Sequence, residues 1–323
     1  MGIFAYKTEM KHIFSTIVTL LICSLLNAQD ICMSVRQIWA EDSTYCSFTS
    51  LVKYKGKYYC SFREAYQHHG DTRIPNSMGK SRIIVSDNGT DWQSIALFEK
   101  PCCDLRDPKL SVTPDGKLMV IMGGNMNEGR KIQTQWTYVA FSEDGQQFSP
   151  LQPVVLDSSI DGPREWIWHV TWHDGVGYGV IYGSHFVVVK TTDGIHYSLV
   201  SELKQQFRGS EATVDFLSDG TMVLMARRKN PHEALGGWAV SKPPYSEFEW
   251  KDMNIVLGGP DIMILGDTLC IAGTRSLYAS EKTMMFKGGI DGNFEEVCIL
   301  PSGGDDNSYT GMIIEGDELW VSY

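Results

Sequence analysis

The residues of this chain that could do chemistry stand at the ends of short apolar strands. Glu211 opens one strand in Ser210-Glu211-Ala212-Thr213-Val214, and Arg227 closes the next, so a single hairpin sets a carboxylate and a guanidinium on one edge. The placement recurs. Arg63 and Arg275 close strands as Arg227 does, while Thr49, Arg106-Asp107, Trp168-His169, Asp261 and Tyr309 open them. A half-buried arginine needs an anionic partner. Each arginine alone could staple its strand to a neighbouring carboxylate. Three at equivalent strand ends fit a carboxylate clamp better, because guanidinium groups give paired, directional hydrogen bonds. Tyr309 and Glu211 offer a phenol and a carboxylate base. A tyrosine at a strand start often only packs or forms a sugar platform, so the pair carries more than either residue. The loop after Arg63 adds Glu64, His68, His69, Asp71 and Arg73.

These positions are set by six hairpins. Each is an apolar strand, a turn with glycine, and a second apolar strand: Phe48–Arg63, Pro108–Gly124, Trp168–Gly183, Glu211–Arg227, Asp261–Arg275 and Tyr309–Tyr323. Glycine at the turn accepts the positive φ that tight hairpins need. The turn glycines fall at 56, 116, 175, 220, 266 and 316, a period of 45 to 60 residues and room for about four strands per unit. Runs such as Leu118-Met119-Val120-Ile121-Met122 read as strands buried on both faces. The pattern predicts an all-β, six-bladed propeller of four-stranded antiparallel sheets, with all strand starts and ends facing one side of a central channel. The last unit stops after two strands, and Ile31–Ala40 is expected to supply one more.

A second motif recurs three times. Ser86-Asp87-Asn88-Gly89-Thr90-Asp91-Trp92, Ser142-Glu143-Asp144-Gly145-Gln146-Gln147-Phe148 and Thr191-Thr192-Asp193-Gly194-Ile195-His196-Tyr197 share the form Ser/Thr-x-Asp/Asn-Gly-x-x-aromatic. The acidic or amide side chain satisfies turn amides and the aromatic packs beneath. These turns resemble the Asp boxes, or BNR repeats, of the sialidase (neuraminidase) superfamily, and the resemblance spans nearly all of 29–323. Asp boxes identify a fold and carry no chemistry.

The resemblance implies an exo-glycosidase. In that family a tyrosine is the nucleophile and a glutamate its base, an exception to the usual two-carboxylate scheme. Segments 210–214 and 307–312 look like the family's, which makes Tyr309 the nucleophile and Glu211 the base. It places the general acid on the loop after the first hairpin, at Asp71, with Glu64 the local rival. Arg63, Arg227 and Arg275 would bind the substrate carboxylate, and Arg106, Asp107 and Trp168 would line the site. One departure stands out. The family opens its first inner strand with Phe-Arg-Ile-Pro, whereas this chain reads Phe48-Thr49-Ser50-Leu51. Arg63 or Arg106 must replace that arginine, or the clamp is incomplete. Three readings follow: hydrolysis of terminal sialic acid or a related acidic sugar with retention, hydrolysis of another terminal sugar, or glycan binding without catalysis.

Composition narrows the partners. The formal charge of −11 argues against nucleic acid, since the bulk field repels phosphate. No metal set, cofactor motif or Ser-His-Asp arrangement appears. Lys7 and Lys11 ahead of apolar Ile13–Leu26 read as a secretory leader spanning 1–28, with cleavage after Ala28. The expected product is a monomer with no membrane span, in a bacterial periplasm, at the cell surface or secreted. Seven cysteines remain after cleavage, an odd number that leaves at least one unpaired.

Overall fold

The computed structural model describes residues 2–7, 33–203, 209–228, 235–275, 282–301 and 309–323. They form six small sheets. Five are built from consecutive strands. Blade one holds Tyr45–Tyr54, Lys57–Ala65, Lys80–Ser86 and Gln93–Phe98; blade two runs from Cys103–Val112 to Gln152–Pro153. Blade three starts at Glu165–His173 and gains a short parallel strand, Val155–Leu156, beside His196–Glu202. Blade four starts at Gly209–Phe216 and blade five at Asp261–Leu265. The sixth sheet joins Gly311–Glu315 and Glu318–Ser322 to Gly2–Lys7 and Ser34–Gln37. The innermost strands touch in a closed cycle, one to two and onward to six, then back to one. The chain is an all-β propeller.

All six inner hairpins lie where the turn glycines place them. The run Leu118–Met122 is at most 1% exposed throughout, as a strand buried on both faces should be. The sheets pack face against face around the ring, so their strands are apolar without alternation.

The three repeated turns are built alike. Asn88, Asp144 and Asp193 each accept two backbone N–H groups from the residues two and three further on, at 2.7 to 2.9 Å. The Ser or Thr hydroxyl accepts the turn glycine's N–H at 2.8 to 2.9 Å. Each glycine has φ near +73° and leans on the adjoining blade. A Cβ on Gly145 would lie 2.1 Å from the Tyr59 hydroxyl, and one on Gly194 would lie 2.6 Å from Met119 Sδ. The turns therefore lock blade to blade. Gly292 does the same against Trp238, in a turn whose Asp291 accepts the Asn293 N–H. That turn escapes the sequence pattern because it lacks the Ser/Thr and its aromatic comes one residue early.

The last blade is not left with two strands. Ser34–Gln37, within the expected segment, is its outer strand. The third is Gly2–Lys7, paired with Glu318–Ser322. Those residues fall inside the stretch read as a leader. Cys46, Cys60, Cys102, Cys103, Cys270 and Cys298 are free thiols, and Cys32 lies outside the described residues. Among the described residues, no helix is long and apolar enough to cross a membrane.

Candidate active site

The first four inner strands share one irregularity. Their register slips between Ser47 and Ser50, Arg106 and Lys109, Ile167 and Val170, and Gly209 and Ala212. A bulge bends its strand and re-aims the side chains it carries. Here the displaced residues include Phe48, Asp107, Trp168 and Glu211. Phe48 and Asp107 adopt left-handed backbone angles, φ 65° and 48°, and so does Tyr309 at 76°. Such angles cost energy in residues other than glycine, and they persist where surrounding contacts fix them.

Tyr309 and Glu211 meet, although they are 98 residues apart. The Tyr309 hydroxyl donates to Glu211 Oε1 at 3.4 Å. Arg227 Nη1 donates to Glu211 Oε2 at 2.6 Å. The phenol ring is held edge-on by Phe48, centroids 4.5 Å apart, and by Trp168 at 5.3 Å. Gly259 closes the other side: a Cβ there would come within 2.6 Å of the ring. Burial disfavours charge on Arg227, but Glu211 overrides it and holds the guanidinium firmly protonated. Asn307 and Ser308 lie outside the described residues.

A second arginine reaches this neighbourhood, and a third ends a strand beside Gly258. Arg106 lies over the Phe48 ring at 4.8 Å, anchored by the His68 carbonyl at 2.8 Å and by Asp104 at 3.3 Å. Against its burial, Asp104, Asp107 and Tyr309 favour its charge. Arg275 ends its strand with its N–H on the Gly258 carbonyl at 3.0 Å, one residue from Gly259. Asp107, 4% exposed, lies close enough to Tyr182 for its charge to act on that phenol. Burial, then the charges of Glu211 and Asp107, push the Tyr182 phenol well above its ordinary value.

Other sequence-predicted residues are placed differently. Arg63 is fully buried and faces Asp104, with Nη2 at 2.8 Å from Oδ1; its Nη1 donates to the Gln67 carbonyl. It is a strut between blades one and two and cannot reach a ligand. Asp71 is bound by Arg73 through two side-chain bonds at 2.7 and 2.8 Å and one backbone bond. Arg73 brings its pKa down to about 2, so it holds no proton near neutrality. Glu64 is spent on Arg82. Trp168 is 1% exposed and packs Tyr309 instead of offering an open sugar-stacking face. His169 is a half-buried partner of Thr213, and loss of solvent around its ring brings its pKa down to about 3. Phe48, Tyr182 and Lys109 were not singled out from sequence: a bulge re-aims Phe48, Lys109 directly follows another, and Tyr182 pairs opposite Trp166 just before a third.

No protein-family model and no curated protein sequence matches this chain. Solved structures do. A protein of unknown function from Dyadobacter fermentans superposes with a TM-score of 0.71 at 14% identity, over 88% of this chain and 95% of that one. Trypanosoma rangeli sialidase in complex with the inhibitor DANA gives 0.65 at 11% identity, over 92% of this chain. The chain spans about half, 54%, of that sialidase. The intramolecular trans-sialidase from Ruminococcus gnavus in complex with oseltamivir carboxylate gives 0.60 at 12%, over 83% and 86%. The fold is therefore that of the sialidase-type propellers.

Proposed function

We propose that this chain is an exo-glycosidase that removes a terminal acidic sugar, sialic acid or a related keto-deoxy acid, with retention of configuration. The observation that carries the reading is the Tyr309–Glu211–Arg227 contact. A sugar with a carboxylate on its anomeric carbon repels an anionic nucleophile, whereas a neutral phenol can approach. The Tyr309 oxygen bonds to the anomeric carbon while its proton passes to Glu211 Oε1. The aglycone oxygen leaves with a proton from a second carboxyl group. Water activated by that same group then releases the sugar and frees the phenol. We assign this acid/base role to Asp107, since Asp71 is held by Arg73. Arg106, Arg227 and Arg275 make the carboxylate clamp, with Arg106 standing in for the arginine that Thr49 replaces.

Thr49 and the engaged Asp71 favour a second reading, a propeller that binds glycans without cleaving them, because folds do not fix function. A panel of acidic and neutral aryl glycosides, offered to the wild type and to Tyr309→Phe, separates the two. Cleavage of acidic members only, lost in the variant, supports the enzyme. Glycan binding with no cleavage of any member supports the second reading.

A further inference from the structure

A buried ammonium group lies beneath the site, and the chemistry above makes no use of it. Lys109 follows the blade-two bulge, 5% exposed, with Nζ 5.2 Å from the centre of the Trp168 ring. Among the described residues its hydrogen bond goes to the Thr49 carbonyl, at 2.9 Å. Thr49 is itself fully buried, and its hydroxyl donates to the Tyr309 carbonyl at 3.0 Å and meets Ser322 Oγ at 2.8 Å. The next residue back, Phe48, presses on the Tyr309 ring. Charge and contact thus converge on the one residue that joins the Lys109 head to the Tyr309 main chain. The carboxylates of Asp261 and Glu211, from blades five and four, and of Asp107, two residues back on the same strand, act on the ammonium and oppose the effect of its burial.

We infer that Lys109 and Thr49 are positioning residues for Tyr309. Lys109 fixes the Thr49 backbone, and the Thr49 hydroxyl holds the Tyr309 carbonyl. Together they keep Tyr309 in its left-handed conformation with the phenol on Glu211. A left-handed tyrosine would relax without such a tether, and a small displacement of a nucleophile costs about a hundredfold in rate. The position that carries a clamp arginine in the resembling family would here serve the nucleophile instead of the substrate.

The inference rests on the proposed role of Tyr309, so its test includes a signal that needs no substrate. Protein labelled with 3-fluorotyrosine is examined by fluorine NMR, with the Tyr309 resonance assigned by its loss in Tyr309→Phe. Thr49→Val and Lys109→Met should move or split that resonance and leave the distant Tyr245 resonance in place. Thr49→Ser, which keeps the hydroxyl, should match the wild type. On a cleaved glycoside, kcat of the first two should fall about a hundredfold, with KM within about threefold. A Tyr309 resonance unchanged in folded Thr49→Val overturns the inference, even in an active enzyme. A moved resonance in a protein that cleaves nothing leaves the tether standing and removes the enzymatic reading.

Discussion

At the scale of single residues, the site separates groups that touch a ligand from groups that hold the frame. Arg63 and Arg106 share Asp104, yet only Arg106 lies over the Phe48 ring that packs Tyr309. Breaking a buried ion pair costs up to about 3 to 5 kcal/mol, and without Arg63 the Asp104 carboxylate keeps only Arg106 at 3.3 Å and the Gly70 and Gly79 amides. Arg63→Ala should therefore lower the unfolding midpoint by many degrees, read by calorimetry. Arg106→Ala should chiefly raise KM. The carboxyls divide in the same way. Asp107→Asn should reduce kcat by about 10²- to 10⁴-fold, the range for losing a general acid. Asp71→Asn should leave kcat within about threefold. Equal losses from both would return the acid to the loop. The strand-end rule found Arg63 in sequence but could not see Asp104 arriving from the next blade to consume it. Glu211 and Tyr309 were legible because each opens an inner strand, and the ring closes such starts upon one another.

Among the elements, the repeated turns are the best-determined parts of the chain, because everything they need lies within seven residues. The two that use a carboxylate, at Asp144 and Asp193, are also acid-sensitive. Asp193 is opposed by burial, but the His196 and Ile195 amides and the His196 ring outweigh it and bring its pKa down to about 2. A carboxylate whose folded pKa lies below its unfolded value stabilises above the unfolded pKa, near 4, and loses that contribution as pH falls through 2. Asp193 is half exposed, so screening limits the contribution to about 1 kcal/mol. Asp193→Ala should be less stable than the wild type at pH 6, and the gap should narrow between pH 4 and pH 2 in denaturant titrations. A gap constant with pH would assign the turn's strength to packing alone. The inner-strand bulges were the opposite case. Alternation of side chains fails at a bulge, so the directions of Phe48 and Lys109 left no mark in the residue pattern, whereas Asp107 was marked only by opening its strand.

For the whole molecule, blade number and chain order followed from turn glycines spaced along the sequence, since each sheet forms from neighbouring segments. Closure of the ring was less legible, because its last sheet borrows Gly2–Lys7 and Ser34–Gln37 from the far end of the chain. That closure brings Gly311–Glu315 beside Tyr45–Tyr54 and sets Tyr309, from the start of blade six, against Phe48 of blade one. In the proposed function, the phenol that faces the Glu211 carboxylate and the guanidinium groups forms the bond to the sugar. The direct measurement uses a 2,3-difluorinated sialosyl donor, in which fluorine slows release of a covalent intermediate. After incubation and digestion, peptide masses are recorded. The account predicts one added glycosyl group, on the peptide bearing Tyr309 and absent from Glu211→Gln. An unmodified Tyr309 peptide in protein that cleaves acidic glycosides, or a label on any other residue, would contradict it.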